Sequence, residues 1–455
     1  MAAAAAGDYD AGNGRVKESR GIVSKGTIID VDTSRGANVS SNARTLMSPH
    51  RIFFVECSVG GVLGGSLTGI LHLLDRMDRR RFEPALVLFE SKKVIAQLQA
   101  KGVRVHVLPP LPEPLPDGDR GRPARAVRRV QELATVVLPR ARALTRLFKR
   151  EQPSAVYLAN GVTANLDALI AAARCGLPIV SHEKGFRRIG PFERFMSRWV
   201  DTCIGMTDEV TAHVRNAGVQ AHRFLTIYDG INCGEFAPGG RSAIRQAFGI
   251  PAAAPVVGIV GHLQRWKGQH VVVEAVAQAR RQIPDLYCLI VGGVHRRGGE
   301  YAAELRARIA AEGLTERVIL TGERSDVPAC LDAMDVVIHS SIRPEPFGRV
   351  LIEAMALSKP LIAPREGGPL EIVVDGETGL LIPPRDPNAM ASAITALLAD
   401  ADRRAAMGRA ARARVDAVFD IRHHVATIEG VLDEVLAAHP VQHPARTHAA
   451  AATGR

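Results

Sequence analysis

The 455-residue chain lacks the features that announce several common classes of protein. Its six cysteines, Cys57, Cys175, Cys203, Cys233, Cys288 and Cys330, lie far apart and form no CxxC or other metal-ligand spacing. That argues against a zinc site or a disulfide framework and for reduced thiols in a cytosolic protein. No apolar run approaches the roughly 18 to 20 residues that a membrane-spanning helix needs. The opening MAAAAAGDYD has neither the basic start nor the apolar stretch of a secretory signal, so no such leader is expected. The arginines of residues 120–150 are not interleaved with aromatic residues, which argues against nucleic acid as a partner. Nothing in the pattern suggests a pyridoxal-phosphate lysine site.

What is present is an ordinary globular balance, 46% apolar and 23% charged, at a length that suits two or three domains. The formal charge of +11 would attract phosphorylated ligands or anionic lipid. Residues 1–48 and 439–455 are low in complexity and are expected to be disordered. Between them, short β-branched runs alternate with longer stretches of helical periodicity, the rhythm of a parallel, doubly wound α/β sheet. The runs IFFVECS, ALVLFE, AVYLAN, LPIVSHE, DTCIGM and RFLTIYDG belong to a first Rossmann-like domain over 49–235. After a Gly/Pro-containing linker at 236–253, the runs VVGIVG, LYCLIVGG, RVILTG, DVVIHSS, PLIAP and GLLIPP build a second over 254–420. A final helix over 421–438 is expected to return to the first domain. In such sheets ligands sit at the carboxyl ends of the strands, so a crevice between two facing domains is the expected site.

The segment Arg343-Pro-Glu345-Pro-Phe-Gly-Arg-Val-Leu-Ile-Glu353-Ala-Met355 carries two carboxylates across a loop-to-helix transition. A carboxylate accepts paired hydrogen bonds from adjacent hydroxyls, and amides at a helix N-terminus favour phosphate. One element would therefore suit both ends of a nucleotide sugar, although two glutamates at this spacing also occur as ordinary surface charges.

EPFGRVLIEAM resembles the E-x7-E signature of the family-4 retaining glycosyltransferases. The segments that follow, Gly367-Gly-Pro-Leu-Glu-Ile-Val373 and Asp375-Gly-Glu-Thr-Gly-Leu-Leu381, resemble that family's GGxxEIV and DGxTGLL. Asp326-Val-Pro328 with Ala333-Met-Asp-Val336 is similar to its nucleobase-loop region, and Tyr228-Asp-Gly-Ile-Asn232 to a looser version of its NGID turn. The resemblance implies the GT-B fold, two Rossmann-like domains facing across a cleft, and a retaining transfer from a nucleotide-diphosphate sugar to a glycan or lipid-linked acceptor. Polysaccharide or glycolipid synthesis in the cytoplasm, in contact with the inner membrane face, would be the setting. It further implies that Glu353 binds ribose and Glu345 the donor sugar, with Phe347 and Gly348 presenting backbone amides. Arg324, beside Glu323 and Gly322, would border the base.

Gly261-His-Leu-Gln-Arg-Trp-Lys-Gly268 stands where the family has G-R-L-x-x-x-K-G, so Lys267 would clamp the diphosphate while His262 replaces the usual arginine. A histidine carries full charge at neutral pH only when an adjacent phosphate favours its protonated form, and Arg265 would compensate. Both residues also suit a plain surface loop. In the first domain, Gly64, Gly65 and Ser66 of the turn VGGVLGGSL would line the phosphate and acceptor pocket, and His182, in SHEKG after the strand LPIV, would meet the donor sugar. No first-domain carboxylate is placed as a nucleophile, which favours front-face substitution with the departing phosphate taking the acceptor proton. No DxD dyad appears among the second-domain segments that carry the resemblance, so no metal or other cofactor is expected. Rival readings are a nucleotide-sugar epimerase of the same fold and a non-catalytic nucleotide-sugar-binding subunit.

Residues 120–150 hold ten basic side chains and one acidic residue at helical spacing with apolar positions, and Pro139 is expected to break or kink this helix. Contact with anionic membrane and a solvated basic face are both consistent with it.

Overall fold

The computed structural model describes residues 48–57, 65–92, 94–109, 122–295 and 298–439, without side-chain detail at 65–66 and 122–126. The leader through Met47, Gly64, and the tail beyond His439 lie outside the described residues.

The first seven strands are β1 His50–Val55, β2 Phe82–Leu88, β3 Arg104–Val107, β4 Ala155–Leu158, β5 Ile179–Glu183, β6 Thr202–Gly205 and β7 Arg223–Thr226. They form one parallel sheet in the order β3-β2-β1-β4-β5-β6-β7. The next six are β8 Val256–Val260, β9 Tyr287–Val291, β10 Val318–Gly322, β11 Val336–Ile338, β12 Leu361–Pro364 and β13 Gly379–Ile382. They form a second parallel sheet in the order β10-β9-β8-β11-β12-β13. Both orders reverse beside the first strand of the sheet, at β1/β4 and β8/β11, the two places where doubly wound sheets open a crevice at their carboxyl edge.

The strands read as unbroken apolar runs because each sheet is covered on both faces. Successive side chains of β1 point to opposite sides. Phe53 and Val55 pack with Leu144 and Phe148 of the helix Leu138–Glu151 and with Leu169. Ile52 and Phe54 pack instead with Ile70, Leu73 and Leu74 of the helix Gly65–Arg76 and with Ile428, Leu432 and Val435 of the last helix, Ile421–Ala438. The last helix thus completes the core of the first sheet. Each such side chain contributes about 1.5–3 kcal/mol by leaving water.

The chain crosses between the sheets at two adjacent places. Ile231 and the 419–421 segment exchange backbone hydrogen bonds, Ile231 N–H to Phe419 O at 2.8 Å and Ile421 N–H to Ile231 O at 3.0 Å.

Three sequence expectations change. The stretch expected to be a linker holds the helix Arg241–Ala247, docked on the second domain. Asp332 accepts from the amides of Gly239, Gly240 and Arg241 at 2.9–3.1 Å, and buried Arg245 reaches Asp335 at 3.0 Å. Pro139 does not end the helix: Arg122–Glu132 widens to a π-turn at Leu133–Val137 and continues as Leu138–Glu151, so the distortion falls in the turn just before the proline, whose missing N–H cannot extend the regular ladder. His439 is ordered, its ring nitrogen 2.7 Å from Asp201.

Candidate functional site

After β8 the chain makes a single 3-10 turn, Arg265–Lys267, and enters the helix Gln269–Ala279 through Gly268 at φ +72°. A Cβ at Gly268 would fall 1.9 Å from the Ser340 carbonyl oxygen, so only glycine lets this turn lie against the segment after β11. Ser340 Oγ donates to Lys267 O and the Ile342 amide to Trp266 O, both at 2.8 Å. The turn is thereby fixed, and Lys267 Nζ projects to within 2.6 Å of Glu345 Oε2 and 4.0 Å of the Trp266 ring centre.

Glu345 is nearly buried, and Ser341 Oγ donates to the same carboxylate oxygen at 2.8 Å. Burial pushes its carboxyl up, but Lys267, His339 and Ser341 outweigh burial and hold it below the usual range. His339 Nε2 stands 3.5 Å away without a hydrogen bond, and burial drives that imidazole down to about 4, so it is neutral at pH 7. The backbone around Glu345 is seated on Gly367 and Gly368: a Cβ on either would lie 2.5–2.7 Å from the backbone of Glu345 or Phe347. Gly368 N–H donates to Glu345 O at 2.7 Å.

Gly348, at φ +99°, turns the loop into the helix Arg349–Ala356. The Phe347 ring is core, packed with Tyr228 and Phe419 at centroid distances of 6.4 and 6.1 Å, so only its backbone is available to a ligand. Glu353 lies on the second turn, 3.8 Å from Arg349 Nε. Burial pushes its carboxyl up despite Arg349. The two carboxylates therefore differ: Glu345 is held ionised by an ammonium, whereas Glu353 is poorly compensated and suited to take neutral hydroxyl partners.

Other expected contacts are not gathered here. Arg265 is turned outward, its guanidinium bonded to both oxygens of Glu304 and stacked 5.4 Å from Tyr301, so in this arrangement it does not stand in for a phosphate clamp. The reason is local: the helix Gly299–Ala311 places a carboxylate beside it. Arg324 is likewise held by Asp326, with Nε to Oδ1 at 2.7 Å, and lies 5.7 Å from the Phe248 ring. The His262 ring faces His295 at 6.3 Å, and its carbonyl accepts from Gln269 Nε2 at 3.0 Å.

In the first domain Gly65 and Ser66 open the helix Gly65–Arg76. His182 is the fourth residue of β5 and is only 1% exposed. Lys184 Nζ donates to its Nε2 at 3.1 Å, which leaves the proton on Nδ1 facing the Tyr157 hydroxyl at 2.5 Å. Burial and Lys184 push its pKa well down. The expected free edge toward the crevice is thus occupied, a correction with a clear cause: Lys184 also reaches Asp229 Oδ1 at 2.6 Å and closes a buried cluster. Asp229 lies 4.0 Å from Arg349, and His424 Nδ1 meets Tyr228 O at 2.8 Å. Burial raises Asp229, but Lys184, His182, His424 and Arg349 together hold it far below the carboxylate range.

Sequence reading passed over Lys184, Asp229, Arg349, His339 and Ser341 as functional groups. Lys184 and Asp229 stood inside recognisable motifs, yet their pairing needs the fold. The two loop sets meet directly: a Cβ on Gly185 would stand 3.4 Å from Pro346 Cγ. A separate cavity of about 280 Å³ lies beside the crossing at Ile231 and 419–421, lined by Arg76, Cys233, Arg412, Asp416, Asp420 and Arg422, among other residues. Arg412 is spent on Asp416 and Arg422 on Asp420, so the loops around Lys267 remain the better candidate. Among the described residues no group of three or more His, Cys, Asp or Glu side chains is arranged to hold a metal ion.

Comparison with known proteins identifies the family. Residues 240–414 match the family model of glycosyl transferases group 1, and residues 91–235 that of glycosyltransferase family 4. A D-inositol 3-phosphate glycosyltransferase of Corynebacterium urealyticum is 37% identical over 46% of this chain and 50% of its own length, so the match spans about half of that relative. The lipopolysaccharide core biosynthesis mannosyltransferase LpsB of Rhizobium meliloti is 28% identical over 65% of this chain and 85% of its own. The crystal structure of Anabaena Alr3699/HepE in complex with UDP-glucose superposes with a TM-score of 0.69 at 26% identity, covering 85% of this chain and all of that one. The two family models together account for well over half of the sequence: the chain belongs to the group 1, family-4 glycosyltransferases and has the GT-B fold.

Proposed function

We propose that this protein is a retaining glycosyltransferase that moves a sugar from a nucleotide-diphosphate donor to a glycan or lipid-linked acceptor. The observation that carries the reading is the 2.6 Å pairing of Lys267 with Glu345, brought together from two loops at the carboxyl edge of one sheet. With a donor bound, the ammonium would turn to the diphosphate and offset the charge that builds as the glycosidic bond breaks. Glu345, kept ionised, would accept the donor sugar's hydroxyls, and Glu353 the ribose hydroxyls, while amides at Phe347 and Gly348 would meet phosphate or sugar. His182 is neutral and enclosed, which suits orienting the reacting face better than proton abstraction. The departing phosphate would take the acceptor's proton.

The family relation supports a nucleotide-sugar donor, as does the UDP-glucose complex of the Anabaena protein. Lys267 would supply the cationic role a metal plays elsewhere, and turnover unaffected by a chelator is expected. For the acceptor, the name of the Rhizobium relative points toward lipid-linked glycans. A surface in the first domain fits that reading: Phe192, Phe195 and Trp199 are exposed, with Arg198 3.8 Å from the Phe195 ring. Val127, Val130 and Leu138 are exposed on the neighbouring basic helix, whose Arg129 is ion-paired to Glu193. Apolar side chains rimmed by arginines suit an anionic membrane face.

The test is to incubate the protein with UDP-, GDP- and ADP-sugars and an acceptor, and to read the anomeric configuration of the product by proton NMR. A product that keeps the donor's configuration supports the proposal. Inversion, an epimerised donor, or binding without turnover would each contradict it.

A further inference from the structure

The two domains also meet at a junction away from Lys267 and from the buried cluster around Asp229. The helix Asp208–Asn216 of the first domain begins at Thr207, whose side chain accepts from the Val210 amide at 3.2 Å, an ordinary N-cap. The same hydroxyl donates to Pro346 O at 3.0 Å, on the second domain and inside the loop that carries Glu345. Thr207 is fully buried. Only a hydroxyl both accepts from an amide and donates to a carbonyl from one atom; a carboxylate there would cap the helix but face Pro346 O with a second acceptor.

The next two amides of this helix have no partner within their own domain. They are met by Glu371 of the second domain, Asp208 N–H to Oε2 at 2.8 Å and Glu209 N–H to Oε1 at 3.1 Å. A carboxylate is well placed at a helix start, where free amides and the helix dipole favour negative charge. Glu371 is itself fixed, because Arg414 donates to the carbonyls of Glu371 and Ile372 at 2.7 and 2.8 Å. It also follows the Gly367-Gly368 turn on which the backbone of Glu345 rests.

We propose that Thr207 and Glu371 are positioning residues that clasp the two domains and set the loop Glu345–Gly348 in its working place. The inference rests on the transferase reading above, since Glu345 is the group being placed. Neither residue touches the reacting atoms. Thr207 holds the loop from the first-domain side at Pro346, Gly367 and Gly368 hold it from below, and Glu371 ties that support to the same helix start. Separation of the domains at this junction breaks these three hydrogen bonds together, which would make placement of Glu345 depend on closure.

The experiment uses the full chain and the variants Thr207→Val, Thr207→Ser and Glu371→Gln. Turnover is measured alongside hydrogen exchange of the amides of Asp208 and Glu209, with and without added UDP, GDP or ADP. Thr207→Val is expected to lower kcat about tenfold with the donor KM changed less than about threefold, the size of one lost and unsatisfied hydrogen bond. Thr207→Ser is expected to restore it, and Glu371→Gln to lose exchange protection at both amides and to lower kcat with its melting temperature near wild type. A merely structural cap would lower stability without this kcat-against-KM split. Variants that turn over within about twofold of wild type, or wild-type amides at 208 and 209 that exchange as freely as in Glu371→Gln, would overturn the clasp. If the wild type transfers no sugar while the protection difference persists, the transferase reading fails and the clasp between the domains stands.

Discussion

Two ammonium–carboxylate pairs of equal length, Lys267–Glu345 and Lys184–Asp229, each 2.6 Å, sit in quite different settings. The first joins two loops of one domain, and its side chains keep 22% and 11% of their exposure. The second joins the residue after β5 to the turn that follows β7, and its side chains keep 12% and 2%. A pair at the edge of solvent can part and accept a ligand. One enclosed with His182, His424 and Arg349 is held by several neighbours at once, and removing one charge strands the other in a poorly polarisable interior. Chemistry and fold integrity thus use the same interaction, and burial decides between them.

The comparison is broken most forcefully by Asp229→Asn, which leaves Lys184 without its counter-charge and is expected to destabilise the fold by about 3–5 kcal/mol. A thermal melt within about 1 °C of wild type would show that the cluster is not structural. Glu345→Gln and Lys267→Ala are expected to reduce transfer at least about a hundredfold, with melting temperatures shifted far less than in Asp229→Asn. Loss of folding in either would move that pair into the structural class.

Acid sharpens the contrast. The folded-state value of His339 is about 4, well below the ordinary imidazole, so the folded protein binds fewer protons than the unfolded chain across that window. Stability is therefore fully present above roughly pH 6.5 and is lost as pH falls toward 4, by up to about 3 kcal/mol from this group. His182 and His424, also lowered by burial, act in the same direction. Melts of His339→Gln from pH 7 to pH 4 are expected to fall less steeply than those of the wild type. At the small end, Arg265→Ala removes an exposed pair with Glu304 and is expected to leave the melting temperature close to wild type and to change turnover less than about threefold. A hundredfold loss would restore Arg265 to the phosphate clamp.

Both sheets were legible in the sequence because most strands are apolar runs rich in β-branched or aromatic residues between turn signals. β3 was not: Arg104–Val107 is a four-residue edge strand with alternating polar residues and partial exposure, which leaves little pattern to read. The helix Arg241–Ala247 was hidden in a Gly/Pro-rich stretch, and what holds it is Asp332, more than 80 residues away. Glu345, Glu353 and Lys267 were visible because their roles attach to local motifs. Arg265 sat at a plausible spacing, but its orientation is set by Glu304 on another helix. Thr207 before Asp208-Glu209 carries a readable N-cap signal. Its second bond, to a carbonyl of the other domain, leaves none.

The most direct test of the site is thermal melting of the wild type and Lys267→Ala against UDP, GDP and ADP without added metal. One nucleotide is expected to raise the melting temperature of the wild type, since ligand bound to the folded state stabilises it, and to do so far less in Lys267→Ala. Equal stabilisation of both proteins, or none by any nucleotide with the wild type folded, would contradict a diphosphate site at Lys267.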